Sequence, residues 1–400
     1  MKAFVLKSQG NVGWIDKPEP VLTDPKGALL KPVMVSPCTS DVHTVWQGSP
    51  KKPNLTLGHE CLARVLEVGA EVRDFQVGEL AAVSAITPDW DQPDVTENYA
   101  HAGHNFSAHM LGKSIDGAFQ EVFYLPHADR NLAHIPAGMS LKDALMCVDV
   151  VQTGFTAVED ADVRPGQTVV VMGIGAIGLA AILGCRLRGA SQVFAVGSSH
   201  PNVELAESLS GGGTRVEVIN YKTCRTALPE GMHPLANSTG SAVVNEVLAR
   251  TGTKGVDRVL ICGGNDLSFP QAVDMVRYGT GVVANVMYYG AEPEVQAAQE
   301  AHEMGQIVTE GKVLEAPQPV IDGILIPKFS MGRGMAGKTL KFSLSKGGRE
   351  NLERVLREVQ ESGLHPGMFV TKEYEGLAHV EDALYDMKER RAIKISVNVE

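Results

Sequence analysis

The chain has 400 residues, with 36 Lys+Arg against 47 Asp+Glu, a formal net charge of −11, 44% hydrophobic and 21% charged residues. That balance argues against wholesale disorder, and at about 150 residues per domain the length suggests two or three domains, each with a full core. The acidic surplus leaves nothing to neutralise phosphates, which argues against a nucleic-acid or anionic-membrane partner. Forty-two glycines against 21 prolines point to an α/β chain with many tight strand–helix turns. Six cysteines stand at 38, 61, 147, 185, 224 and 262, none at C-x-x-C spacing, so zinc-ribbon, thioredoxin-like and disulfide-framework readings fail. The start, Met1-Lys2-Ala3-Phe4-Val5-Leu6, lacks the apolar stretch of a signal peptide, so a reducing, cytoplasmic location is expected. Thr168–Cys185 is uncharged and as long as a membrane span, but four glycines interrupt it.

In chain order, residues 1 to 150 give short β-rich runs between Gly, Pro and Asp: Ala28–Val35, Ala63–Val68 and Leu80–Ala85. Their spacing predicts an irregular, mostly antiparallel unit with a small barrel-like core. From Thr168 apolar strands alternate with helices: Thr168–Met172, a helix over 176–188, Val193–Val196, a helix from Asn202, Arg258–Cys262 and Gly281–Val286. Such units build a parallel sheet. A stretch at 291–324, with a helical run at 295–304 and Pro317 and Pro319, reads as a surface insertion; a lid or oligomer contact is the sharper alternative. Helices around 349–360 and 380–388 and a strand over 392–399 close the chain.

Gly173-Ile174-Gly175-Ala176-Ile177-Gly178 is a G-x-G-x-x-G that directly follows the apolar strand and opens the apolar helix, the context a dinucleotide fingerprint requires. Gly173 permits the turn, Gly175 lets backbone approach a pyrophosphate, and Gly178 lets helix pack on strand. The helix N-terminus adds free N–H groups and partial positive charge. Where an NAD site places a carboxylate, this chain has Gly197-Ser198-Ser199-His200-Pro201. Gly and Ser accept a 2′-phosphate that a carboxylate would repel, which favours NADP over NAD. The usual arginine is missing, with His200, Tyr221 or Lys222 as partial substitutes.

Cys38, His59 and Asp149 offer a thiolate, an imidazole and a carboxylate, a set that suits a three-ligand catalytic Zn²⁺ with one position open. Such an ion would act as a Lewis acid on an alcohol or carbonyl while a nicotinamide exchanges hydride. The competing readings are a buried core thiol for Cys38 and a helix cap for Asp149. With Cys38-Thr39-Ser40-Asp41 and His43, Gly58-His59-Glu60, Asp149 four residues before Thr153-Gly154, and the fingerprint, the chain resembles the zinc-dependent medium-chain alcohol dehydrogenases. Val68-Gly69, Val72, Phe75 and Gly78 fit the same pattern. Pro88-Asp89-Trp90 and Gly334-Met335-Ala336 with Lys338-Thr339 bring it closest to the bacterial NADP-dependent secondary alcohol dehydrogenases.

The resemblance implies a Rossmann-type doubly wound parallel sheet domain plus a GroES-like irregular β-barrel catalytic domain. It implies a catalytic part at 1–152, a dinucleotide domain at 153–330 holding the insertion, and a return to the catalytic domain at 331–400. It further implies one zinc per subunit on Cys38, His59 and Asp149, with Glu60 as a fourth or transient ligand. Ser40 would take the alcohol proton and pass it toward His43, and the assembly would be a homotetramer, or else a dimer. Cys147, two residues before Asp149, is out of register with Thr153-Gly154. The glycine usual three positions after Glu60 is Ala63, and the four-cysteine lobe of many relatives is absent. His101, His104 and His109 lie in the corresponding stretch, read as solvated histidines rather than a second metal site; a pocket-lining His109 would favour a more polar substrate. The expected reaction joins NADP(H) to a secondary alcohol and its ketone, or to an aldehyde. Zinc polyol or threonine-like amino-alcohol dehydrogenation, zinc-free enoyl or quinone reduction, and a non-catalytic nucleotide-binding role are the alternatives.

Overall fold

Thr168–Met172 is flanked by neighbours on both sides and covered on both faces, so its Val169-Val170-Val171 run is wholly buried and shows no alternation. In the computed structural model, which describes residues 1–47, 52–92, 95–96, 111–287 and 332–400 and the backbone of 308–309 and 312–313, this strand lies inside a six-stranded parallel sheet. The order is Arg215–Asn220, Gln192–Gly197, Thr168–Met172, Arg258–Ile261, Val282–Asn285, Thr339–Phe342. The winding reverses between Thr168–Met172 and Arg258–Ile261, and the crevice at their carboxyl ends is where such sheets bind ligands. The uncharged run that could have spanned a membrane is therefore a strand, a loop and the helix Ala176–Leu187. No helix among the described residues is long and apolar enough to cross a membrane.

Thr339–Phe342 corrects the domain boundary drawn at 330: it pairs in parallel with Val282–Asn285 as the sixth strand. A four-residue strand behind the 291–324 stretch carries too little pattern to be seen alone. The 291–324 stretch lies outside the described residues except for a short antiparallel pair, Val308–Thr309 with Lys312–Val313. The expected helix at 295–304 and His101, His104 and His109 also fall outside them.

The other unit is built on Ala28–Ser36, which pairs antiparallel with Glu60–Val68, with Phe123–Leu125 and with the terminal strand Lys394–Asn398. Glu60–Val68 continues to Leu80–Val83 and then Leu132–His134, all antiparallel. Val370–Glu375 runs parallel to the terminal strand and was not foreseen. In register, Val35 faces both Cys61 and Val397, which draws residue 394 toward residue 60. The helix Arg349–Glu361 buries Leu352, Val355, Leu356 and Val359, an i, i+3, i+4, i+7 stripe, against the core shared with Val150 and Val151.

Candidate active site

Cys38 sits at the N-cap of the helix Thr39–Trp46, and its backbone N–H donates to Asp41 Oδ2 at 2.8 Å. Asp41 at the third helical position is thus locked toward the start of the helix. Gly58 turns the chain at φ +93°, and a Cβ there would meet Phe119 Cδ1 at 2.3 Å, so only glycine presents His59 and Glu60 inward at the head of their strand. Asp149 lies in a π-helical turn, Cys147–Val151, wedged between Leu141–Met146 and Gln152–Asp160. It caps no helix; one wide turn of this kind inside a helical run often marks a functional site. Gly154 then packs on the helix Ala176–Leu187, where a Cβ would lie 2.7 Å from Ala181 N. Asp149 is thereby held beside the element that opens with the fingerprint.

Donor atoms of Cys38, His59, Glu60 and Asp149 all lie within 4.8 Å of one another. Cys38 Sγ is 3.7 Å and His59 Nε2 3.5 Å from Asp149 Oδ2, whose other oxygen accepts from Thr153 Oγ1 at 2.8 Å. His59 Nδ1 is 3.2 Å from Asp41 Oδ1, which leaves Nε2 facing the other donors. Cys147, buried and held mainly by desolvation well above the ordinary thiol range, stands apart as a core thiol.

Electrostatics favour a cation here. Burial alone would keep the His59 ring neutral, yet the carboxylates of Asp41 and Asp149 outweigh it and hold the ring's pKa well above its ordinary value. Burial likewise pushes Asp149 up, and the His59 bond and charge reverse it, leaving the carboxyl well below the usual range. Glu60 Oε2 is buried with no hydrogen-bond partner. A buried cluster of carboxylates around one imidazole, with one carboxylate oxygen unmatched, fits a divalent metal, and Cys sulfur, His nitrogen and carboxylate oxygens are the donor types zinc accepts.

Two contributors escaped the sequence reading. Asp41 stood in the Cys-Thr-Ser-Asp run, and its N3 position was the available signal. Asp41→Asn is expected to weaken metal retention about 10- to 100-fold, the usual effect of losing a ligand's outer partner. Competition with a chromophoric chelator measures it, and unchanged affinity would remove Asp41 from supporting His59. The second is Lys394, 2% exposed in the terminal strand, whose Nζ donates to Glu60 Oε1 at 2.6 Å and to Pro37 O at 3.0 Å. Burial alone would lower its pKa, but Glu60 and Cys38 hold it above the ordinary lysine range. No sequence signal joins residues so far apart.

Ser40 Oγ lies 3.2 Å from His59 Nε2. His43, exposed one turn later, sets Nδ1 against Gln47 Oε1 rather than against Ser40. A second grouping, Asp89, Asp91 and His127, sits near the surface, where Asp91 pairs with Lys26 at 2.8 Å.

At the fingerprint, Gly173 has φ +82° and its Cβ would lie 2.7 Å from Gly263 Cα, so the two loops of the crevice touch. A Cβ on Gly178 would lie 1.8 Å from Gly173 O, whereas one on Gly175 would meet nothing within 4 Å. That open space at a helix N-terminus is the cradle a pyrophosphate would fill. Ile174 and Ala176-Ile177 flank it, and Ile174 packs so tightly on Gly197 that a Cβ there would sit 2.0 Å from Ile174 Cγ1. Gly197 thus serves packing before any phosphate. Gly197 pairs with Asn220, which sets Ser198, Ser199 and His200 beside Tyr221 and Lys222 at the crevice rim. Ser199, His200, Tyr221 and Lys222 are exposed there, without a carboxylate at 197–201.

Residues 24–137 match the family model of the alcohol dehydrogenase GroES-like domain and residues 176–314 that of the zinc-binding dehydrogenases. The chain is 36% identical over 392 residues to the NADP-dependent isopropanol dehydrogenases of Thermoanaerobacter brockii and Clostridium beijerinckii, covering 98% of this chain and 97% of each relative. Its fold is also similar to that of the alcohol dehydrogenase from Thermus sp. ATN1, at a TM-score of 0.76 and 22% identity with both chains fully covered.

Proposed function

Because the chain belongs to the zinc-binding alcohol dehydrogenases, we propose that it interconverts a small secondary alcohol, such as isopropanol, and its ketone with NADP(H). The observation that carries this reading is the convergence of Cys38, His59, Glu60 and Asp149 beside the helix that opens with Gly173–Gly178. Bound there, zinc would supply Lewis-acid polarisation of the substrate oxygen, and the nicotinamide would carry the hydride. Cys38, His59 and Asp149 hold the metal, and Asp41 and Thr153 fix the orientation of two of them. Ser40, whose hydroxyl lies beside His59, takes the alcohol proton, and His43, one turn on and open to solvent, receives it. The NADP preference rests on Ser198, Ser199, His200 and Tyr221 at a rim that carries no repelling carboxylate.

A panel of ketones, aldehydes, secondary alcohols, polyols and threonine-like compounds, run with both cofactors on zinc-quantified protein, tests the assignment. Short ketones with NADPH should be turned over best; a polyol or amino alcohol in first place would replace the substrate class. Ser199→Asp is expected to lower kcat/KM with NADPH about 100-fold and to spare NADH, because like charges brought together cost several kcal/mol. An unchanged NADPH to NADH ratio would take the 2′-phosphate away from this loop.

The working form is a homotetramer in the cytoplasm. All six cysteines are free, which supports a reducing compartment. Thr339–Phe342 ends its sheet with no strand beyond it among the described residues, and Phe342 and Leu344 are 55% and 39% exposed there. An apolar edge of that kind calls for a covering subunit. Light scattering that gives a monomer at micromolar concentration would refute the assembly.

A further inference from the structure

Glu60 is fully buried, and its two carboxylate oxygens have unequal surroundings. Oε1 accepts from Lys394 Nζ at 2.6 Å, while Oε2 has no hydrogen-bond partner. A ligating atom of the same carboxylate lies within 4.8 Å of those of Cys38, His59 and Asp149. Burial pushes the Glu60 carboxyl up to about 7, so it keeps its charge only beside a cation. Two cationic positions therefore flank Glu60: the ammonium of Lys394 and the metal position bounded by the other three residues. Lys394 cannot follow Glu60 from one to the other. Its second hydrogen bond goes to Pro37 O, next to Cys38, and its strand is paired on both sides, to Ala28–Ser36 and to Val370–Glu375.

We propose that Lys394 is a positioning residue that holds the Glu60 carboxylate back and so keeps the fourth metal position open for the substrate oxygen. This rests on the zinc reading above. Without the ammonium, a Glu60 carboxylate that keeps its charge turns to the metal and occupies the place the substrate needs. A merely structural lysine would instead loosen the site as a whole.

The test uses full-length chain loaded with cobalt(II), titrated with imidazole, a neutral ligand whose entry at the metal changes the visible spectrum. Four variants are compared: Lys394→Met, Lys394→Arg, Glu60→Gln and Lys394→Met/Glu60→Gln. Lys394→Met should bind imidazole at least about tenfold more weakly than wild type and lose cobalt to chelator no faster, as expected when one more ligand is engaged. Lys394→Arg should restore the wild-type titration. In the Glu60→Gln background, adding Lys394→Met should change imidazole affinity by less than about threefold, because the two effects couple through one contact. This last comparison stands even if Lys394→Met alone does not fold. The proposal is overturned if Lys394→Met binds imidazole like wild type, or if it weakens binding equally with and without Glu60. A wild-type chain that takes up no cobalt would overturn the zinc reading itself.

Discussion

Asp149→Ala is expected to lose its metal and to lower kcat/KM for ketone reduction by about 10³-fold or more. The magnitude follows from the several kcal/mol that a metal ion contributes to charge stabilisation, at tenfold per 1.36 kcal/mol. Its geometry makes Asp149 the most exposed test of the ligand set. One oxygen faces Cys38 and His59, and the other is held by Thr153 Oγ1, so truncation removes a donor and leaves His59 without one of its two carboxylate partners. Elemental analysis and steady-state kinetics on the same preparation decide it. Stoichiometric zinc with full activity in the variant would strike Asp149 from the ligands. Cys147→Ser is the control: that thiol lies in the core away from the other donors, and zinc content should not change.

The second large effect separates folding from cofactor binding within one loop. Gly178→Ala puts a Cβ 1.8 Å from Gly173 O, so helix and loop must part. The overpacking cost, about 1–3 kcal/mol, should appear as a lower Tm together with weakened NADPH binding. Gly175→Ala adds a methyl where nothing lies within 4 Å, at a backbone conformation alanine adopts freely. It should leave Tm unchanged in cofactor-free protein yet weaken NADPH binding about 100-fold or more, because the methyl takes the approach path of the pyrophosphate. Differential scanning calorimetry and fluorescence titration with NADPH measure the two quantities. Equal Tm losses in both variants, or NADPH binding unharmed by Gly175→Ala, would mean that this loop does not cradle a dinucleotide.

The features legible in the sequence were those carried by local pattern. Thr168–Met172 was visible because a doubly covered parallel strand is a continuous apolar run, and the fingerprint because Gly173 and Gly178 answer to backbone distances of under 3 Å. Cys38 and His59 were found by residue type within short motifs. Long-range partners were not legible. Lys394 reaches Glu60 only because Val35 pairs with both Cys61 and Val397, a register no local spacing reveals. Asp149 was legible as a carboxylate completing the donor set, yet its π-helical turn was not: one extra residue in a turn leaves the apolar periodicity of 141–160 almost intact. Thr339–Phe342 and Val370–Glu375 were missed because short strands with exposed positions depend on their neighbours for definition.

A metal held by Cys38, His59 and Asp149 would polarise a carbonyl for hydride delivered from NADPH. The most direct measurement follows NADPH oxidation by acetone on three samples of one preparation: as purified, after chelation to a metal-free state verified by elemental analysis, and after zinc is restored. Activity present in the first, lost in the second and recovered at one zinc per chain in the third is the expected result. Metal-free protein that still reduces acetone at the original rate would contradict it.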